Sequence, residues 1–360
     1  MKCVKINKFL GYNMNKQLEK DLKELIEQHN YFSGLENSSF FITGSTGLIG
    51  SLLIKTLLTY SRKNNSNIKI YALCRSSNKF NSVFTDFLGT DLIPIFTDLL
   101  NLDLQKINFS IDYIIHGAAI TTSKDMVEHA VETLDTAYIG TRNILNLAKS
   151  KKIKSMVYLS SMEVYGVTDT SLNCVTEKNL GYIDILSPRS SYSEGKRICE
   201  CLCACYANEY AVPVKCARLA QTLGAGIDYN DTRVPAMFAR SVVENKNIVL
   251  KTAGSTKRPI VYTTDAISGI LTILKHGEFG KSYNIANETT FCSIKETAQL
   301  IVQEIAKSKI KLLFDIQEKN NFAPDVLLNL SSKKANNLGW SAKISLKEAY
   351  SRMIESFLNS

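Results

Sequence analysis

The sequence predicts an α/β fold, a doubly wound parallel sheet with helices on both faces, followed by a smaller C-terminal lobe. Three observations carry that expectation. Strand-like apolar runs alternate with helical stretches from Ser38 to about Ala217, the order expected of parallel strands joined by crossover helices. One of those runs, Ser38–Thr43, leads into three glycines spaced three apart and then into a helical pattern. With 360 residues, 45% of them hydrophobic, the chain can bury a large core and is long enough for two lobes.

Residues 1 to about 37 form an N-terminal extension in which Leu18, Leu22, Leu25 and Ile26 fall at helical spacing. Ser38–Thr43 then reads as a buried strand, Gly44-Ser-Thr-Gly47-Leu-Ile-Gly50 as a loop, and Ser51–Tyr60 as a helix. In this setting Gly44 permits a tight turn and Gly47 lets the backbone approach a pyrophosphate. Gly50 lets helix and strand pack closely, while amides at the helix N-terminus face the phosphates. Ser45, Thr46, Leu48 and Ile49 are therefore candidate cofactor contacts with the three glycines, and the fold is expected to be Rossmann-type. Further strands are expected at Ile68–Cys74, Leu92–Phe96, Tyr113–Ile115, Ser155–Leu159 and Val212–Ala217, with a helix over Met126–Lys151. From Gln221 onward the alternation loosens.

Chemistry enters with Tyr192 and Lys196, four residues apart, and with Ser160-Ser-Met-Glu-Val-Tyr-Gly166 upstream of them. On a helix, positions i and i+4 share a face, so the Lys196 ammonium is expected beside the Tyr192 phenol, favouring its ionised form. A free tyrosine titrates near ~10, so ionisation near neutrality needs about 4 kcal/mol, which one lysine and an oxidised nicotinamide together can supply. The same spacing is common at the start of ordinary amphipathic helices. The glycine loop earlier in the chain is what singles it out. Ser161 and Glu163 are two apart at the end of a strand-like run, and continued extended geometry would point both to one side.

Composition excludes several other classes. The chain carries 43 Lys+Arg against 34 Asp+Glu, a net charge of +9, yet the lysines are scattered and not interleaved with aromatics, so no nucleic-acid partner is expected. The positive balance suits solubility and a doubly phosphorylated ligand. No apolar run reaches about 18 residues, so no membrane span is expected. Nine cysteines, an odd count without a secretory pattern, point to a reducing, cytoplasmic setting. Cys199, Cys201, Cys203 and Cys205 alternate, but on a helix they fall on two faces and cannot converge on one tetrahedral ion, so buried apolar packing is expected and no metal. His29, His116, His129 and His276 are isolated, and His116 is expected to shape a turn beside the cofactor.

From about Ser39 onward the chain resembles the extended short-chain dehydrogenase/reductase family of nucleotide-sugar epimerases and dehydratases. The resemblance rests on Gly44-x-x-Gly47-x-x-Gly50, Asp98-Leu99, His116-Gly117-Ala118-Ala119, Ser161, and Tyr192-x-x-x-Lys196. Arg189-x-x-Tyr192-x-Glu194-Gly-Lys196-Arg197 is similar to the UDP-glucuronate decarboxylases, as are Asn230-Asp-x-Arg233-Val and Arg258 followed by Val261-Tyr-x-x-Asp265. Asn284-Ile-Ala-Asn287 and Leu338-Gly-Trp340 extend the likeness. The resemblance implies a dinucleotide-binding Rossmann domain over residues 38–220, with a return segment near 255–285. It implies a substrate-binding lobe over 221–254 and 286–360, and a homodimer. It also implies cofactor contacts at Asp98, Leu99, Gly117, Ala118, Ala119, Tyr192 and Lys196, and catalysis by Ser161, Tyr192, Lys196 and Glu163. Met162, Gln221, Arg233 and Arg258 would touch a nucleotide-sugar substrate.

Cofactor choice turns on the end of the second strand, where a carboxylate would bind a ribose 2′-hydroxyl. Here Cys74-Arg75 stands instead, and an arginine favours a 2′-phosphate, so NADP is expected over NAD, with NAD still possible. The reaction turns on residues 162 and 163. The 4,6-dehydratases carry an acid at the position matching Met162, and a thioether cannot protonate a departing hydroxyl. The decarboxylases carry Ser then Glu there, so Glu163 keeps that activity open, although Gln221 replaces an asparagine usual in the matching stretch. Epimerisation demands the least further chemistry. The expected activity is an NADP-dependent epimerase of a nucleotide-diphosphate-linked sugar or sugar alcohol in surface-polysaccharide supply, with decarboxylase and then reductase as alternatives. A nucleotide-sensing or nucleic-acid-binding protein without turnover is the alternative outside enzymology.

Overall fold

The computed structural model describes residues 14–316 and 325–359. Residues 1–13 of the expected extension lie outside the described residues. Leu18, Leu22, Leu25 and Ile26 form the buried face of helix α1 (Lys16–Ile26), whose N-terminus is capped by Asn15 accepting from the Gln17 and Leu18 amides.

Runs rich in β-branched and aromatic residues form the strands β1 (Ser39–Thr43), β2 (Lys69–Cys74), β3 (Leu92–Phe96), β4 (Tyr113–His116), β5 (Ser155–Ser161) and β6 (Val214–Leu219). A further strand, Ser282–Ile285, pairs with β6. The resulting seven-stranded sheet has the order Ser282–Ile285, β6, β5, β4, β1, β2, β3, and every pairing is parallel. β1 is buried at all five positions, as a strand covered on both faces must be. The chain reverses its direction of winding between β1 and β4, which opens a crevice at the carboxyl ends of those two strands.

Helices α2 (Leu48–Asn64) and α8 (Thr263–His276) contribute to the core under one face of the sheet, and α5 (Ala130–Lys151) and α6 (Ser190–Tyr210) to the core under the other. Between them in sequence lie α3 (Ser77–Phe84), α4 (Asp125–Glu128) and α7 (Val234–Val243). The single helix expected over 126–151 is two, because His129 leaves helical geometry at φ −127°, ψ 50°. A third core gathers residues of α7, of helix α9 (Ile294–Leu300) and of the C-terminal helix Leu346–Leu358. Around it lie three two-stranded pairings, Gln221–Leu223 with Ile260–Tyr262, Ile248–Leu250 with Leu312–Phe314, and Lys257–Arg258 with Cys292–Ser293.

Candidate active site

The turn between β1 and α2 is a mould with no room for side chains at two of its glycines. Gly44 has φ +66°, and a Cβ there would lie 2.6 Å from the Gly117 carbonyl. A Cβ at Gly50 would lie 2.3 Å from the Gly44 oxygen, so the first turn of α2 rests directly on the loop. Gly47 caps α2 and is exposed, leaving the helix N-terminus open to a ligand. The Ser45 hydroxyl is turned inward and donates to the Leu73 carbonyl at 2.8 Å, tying the loop to the end of β2. Beyond β2, Arg75 is exposed. Asp98 accepts from the Leu100 amide at 2.8 Å, while the Leu99 side chain is buried in the core.

His116 ends β4 between two threonines, 2.6 Å from Thr43 Oγ1 and 3.0 Å from Thr141 Oγ1. Burial pushes it down to about 3, so it is neutral, and the Thr43 hydroxyl accepts from the Ala118 amide at 3.1 Å. The expected turn-shaping role of His116 is thus carried by a chain of short polar contacts. Gly117, Ala118 and Ala119 follow directly, and Ala118 and Ala119 line a small cleft with Thr133, Tyr158, Tyr192 and Lys196.

Ser161, at the carboxyl end of β5, is met there by Tyr192 and Lys196 of α6, some 30 residues further along the chain. Ser161 is the last residue of β5 and caps the short helical turn Met162–Tyr165, its Oγ accepting from the Glu163 amide at 3.2 Å. Its hydroxyl stands near enough to the Tyr192 phenol to favour the ionised form. Lys196, on the next turn of α6, donates to the Leu159 carbonyl at 2.7 Å, and its Nζ stands 4.7 Å from the Tyr158 ring centre and 5.6 Å from that of Tyr192.

The charge states show what the chain alone does to the pair. Burial pushes the Tyr192 phenol up to about 12, helped by the Glu163 carboxylate and opposed by Ser161, Arg189 and Arg233. Burial also pushes Lys196 down to about 8. Burial thus outweighs the neighbouring charges at Tyr192, and the lysine alone does not bring the phenol into its ionised form.

Glu163 corrects one expectation. The strand ends at Ser161, so Ser161 and Glu163 do not share an extended face. One Arg189 nitrogen donates to both Glu163 oxygens, at 3.1 and 2.9 Å, and Ser193 adds a contact at 3.3 Å. A carboxylate so engaged is a poor base. Arg189 and Ser193 are functional candidates that the site assignment from sequence omitted. The clue was spacing, since Arg189 precedes Tyr192 by three residues and Ser193 follows it.

The substrate-side residues are dispersed. Met162 is buried in the core. Gln221 sits half-buried in the strand that pairs with Ile260–Tyr262. Arg233, at the start of α7, is held by Asp231 at 2.6 Å and still contributes to the field at Tyr192. Arg258 is partly buried, and burial pushes its guanidinium down from the usual value while Glu163 opposes that effect. In α6, Cys199 and Cys203 are buried as expected, but Cys201 and Cys205 are exposed, which corrects the expectation that all four pack inside. Among the described residues no group of three or more His, Cys, Asp or Glu side chains gathers to hold a metal, and no helix is long and apolar enough to cross a membrane.

The chain as a whole is similar to known proteins. A UDP-glucuronic acid decarboxylase 1 of Danio rerio is 26% identical over 345 residues, covering 95% of this chain and 78% of that protein. The solved UDP-glucose 4-epimerase of Thermotoga maritima, with UDP-glucose, superposes with TM-score 0.76 at 20% identity, covering 89% of this chain and 98% of that one. A UDP-glucuronic acid 4-epimerase of Bacillus cereus in complex with NAD gives TM-score 0.73 at 22% identity, covering 89% and 100%. The profile of the NAD dependent epimerase/dehydratase family matches residues 40–286, from β1 through the last strand of the sheet, and the chain belongs to that family.

Proposed function

We propose that the protein is an epimerase of a nucleotide-diphosphate-linked sugar or sugar alcohol, working by transient oxidation to a ketone and re-reduction from the opposite face. The observation that carries this reading is the pairing at the site: Ser161, Tyr192 and Lys196 are assembled, while Glu163 is engaged by Arg189 and Met162 is an apolar side chain. Such a site is equipped for removing and returning one proton, and poorly equipped for eliminating water or forming an enolate.

The residues present fit a dinucleotide. The Gly44–Gly50 mould and the open N-terminus of α2 suit a pyrophosphate, and the cleft lined by Ala118, Ala119 and Tyr192 suits the nicotinamide end. When bound, the cofactor supplies the hydride acceptor and donor, and its oxidised ring adds the positive charge that Tyr192 lacks. Ser161 orients the substrate hydroxyl. Tyr192 takes its proton as the carbon loses hydride, and gives a proton back on re-reduction. Lys196 would hold the ribose end of the cofactor and oppose the burial cost of the phenolate. Arg233 and Arg258 face the phosphates of the substrate. Arg75, exposed after β2, favours NADP, with NAD usable. The α5–α6 face, where Val131 is 68% and Ile198 48% exposed, is assigned to a second copy of the chain.

Decarboxylation is the second reading. It is favoured by Arg258, a partly buried guanidinium whose field reaches Glu163 and which suits a substrate carboxylate. Incubation with CDP-, UDP-, GDP- and dTDP-linked sugars, followed by mass spectrometry and NMR, separates the cases. Epimerisation leaves the mass unchanged with a new spectrum, whereas loss of carbon dioxide or of water overturns it. A binding protein without turnover leaves every sugar unaltered.

A further inference from the structure

Asp21 lies on the apolar face of α1 and is 1% exposed. Burial raises its carboxyl above the usual range, while Tyr262, Gln17 and Arg352 oppose that rise. Both oxygens are used. Oδ1 accepts from Gln17 and from Arg352, each at 2.7 Å, and Oδ2 accepts from the Tyr262 hydroxyl.

Tyr262 carries the contact onward. Its hydroxyl accepts from the Ala225 amide at 3.3 Å, and its ring fills the space beside Gly224, where a Cβ would come within 2.7 Å of it. On the other side, a Cβ at Gly226 would lie 3.1 Å from Leu52 of α2. The 224–226 turn is thus held between Tyr262 and the helix that follows the glycine loop. From that turn the chain passes Asp228, whose carbonyl accepts from the Asp231 amide at 3.0 Å, and Asp231 grips Arg233 through Nε at 3.0 Å and Nη2 at 2.6 Å. α1 is anchored on its far side as well, with Asn15 Nδ2 donating to the Ser356 carbonyl at 2.6 Å in the C-terminal helix.

We propose that Asp21 and Tyr262 are positioning residues for the substrate's diphosphate: through the Ala225 amide, the N-terminal helix sets the 224–233 loop and so the place of Arg233 relative to the cofactor helix. The inference rests on the assignment of Arg233 to the substrate phosphates. It gives the extension ahead of β1 a task in ligand affinity, beyond packing.

The test is calorimetry on the full chain with UDP, CDP, GDP and dTDP as one set of probes and NADH and NADPH as the other, for the wild type, Tyr262→Phe, Asp21→Asn and Glu24→Gln. Glu24 also accepts from Arg352, at 2.7 Å, and its hydrogen bond goes to that guanidinium, so it controls for a loosened α1. Tyr262→Phe and Asp21→Asn are expected to weaken the best-bound nucleoside diphosphate about tenfold while cofactor affinity stays within about twofold, and Glu24→Gln to change neither. Unchanged nucleotide affinity in both variants overturns the proposal, as does a parallel fall in nucleotide and cofactor affinity. Wild-type protein that binds none of the four diphosphates overturns the Arg233 assignment itself, and the proposal with it. Should Asp21→Asn fail to fold, Tyr262→Phe, which removes one hydroxyl, decides alone.

Discussion

Lys196 and Lys215 stand at opposite ends of β5 and make an instructive pair. Both are nearly fully buried, both donate to a main-chain carbonyl, and burial pushes both down to about 8. Lys196 sits at the carboxyl end, beside Tyr192, Ser161 and the turn after β4. Lys215 sits at the amino end, donating to the Ser155 hydroxyl at 2.6 Å and to the Leu274 carbonyl at 3.3 Å, with its Nζ 4.7 Å from the Phe279 ring centre. A perturbed amine is thus no mark of catalysis by itself. What distinguishes the two is the company: the carboxyl end of a parallel sheet gathers loops and helix N-termini that can hold a ligand, whereas at the amino end Lys215 meets a serine hydroxyl, a main-chain carbonyl and the Phe279 ring, with no titratable partner among them.

The largest expected effect that tests this contrast is at Tyr192. Tyr192→Phe should lower turnover about 10³-fold with cofactor affinity retained, measured by steady-state kinetics beside calorimetry. Substantial residual turnover would move the proton transfer to another group. Next is the mould that makes the carboxyl end a site. Gly50→Ala, which places a carbon 2.3 Å from the Gly44 oxygen, should cost about 1–3 kcal/mol in urea unfolding and weaken cofactor binding. Full stability with normal cofactor affinity would show that the loop yields easily.

Glu163→Gln should reduce turnover only about tenfold, because the amide still offers an oxygen to Arg189 and the ketone route needs no carboxylate base. A loss as deep as that of Tyr192→Phe would instead make Glu163 the base for an enolate. The smallest effect on turnover is expected at Lys215, where Lys215→Met should leave activity at neutral pH unchanged. Its signature lies in stability. A lysine at about 8 when folded and 10.5 when unfolded binds fewer protons in the folded chain between those values. Unfolding free energy therefore rises with pH from about 8 to 10, and the variant should lose part of that slope. An identical slope in urea titrations of both proteins would contradict the burial of a titrating Lys215.

Much of this was legible from short stretches of chain. Gly44, Gly47 and Gly50 could be placed because a strand, a tight loop and a helix follow one another within a few residues, and β3 begins and ends where its apolar run does. The meeting of Ser161 with Tyr192 was open to inference from the family resemblance, though not from periodicity, since about 30 residues and a crossover separate them. Glu163 was misread for a local reason. Its orientation depends on β5 ending at Ser161 and turning into a helical segment, and alternation in an apolar run carries no sign of where the strand stops. His129 broke the helix expected over 126–151 in the same unannounced way. Tyr158 was invisible as a site residue because nothing in a buried strand says which face will receive Lys196.

Patterns with a short range, two residues for a strand and about 3.6 for a helix, were enough to specify the α/β class, the glycine turn and the spacing of Tyr192 and Lys196. Charge states, the capture of Glu163 by Arg189 and the reach of Asp21 through Tyr262 to the 224–233 loop were not contained in those patterns. Each depends on desolvation and on partners tens to hundreds of residues away, and both come into being only when the chain is packed.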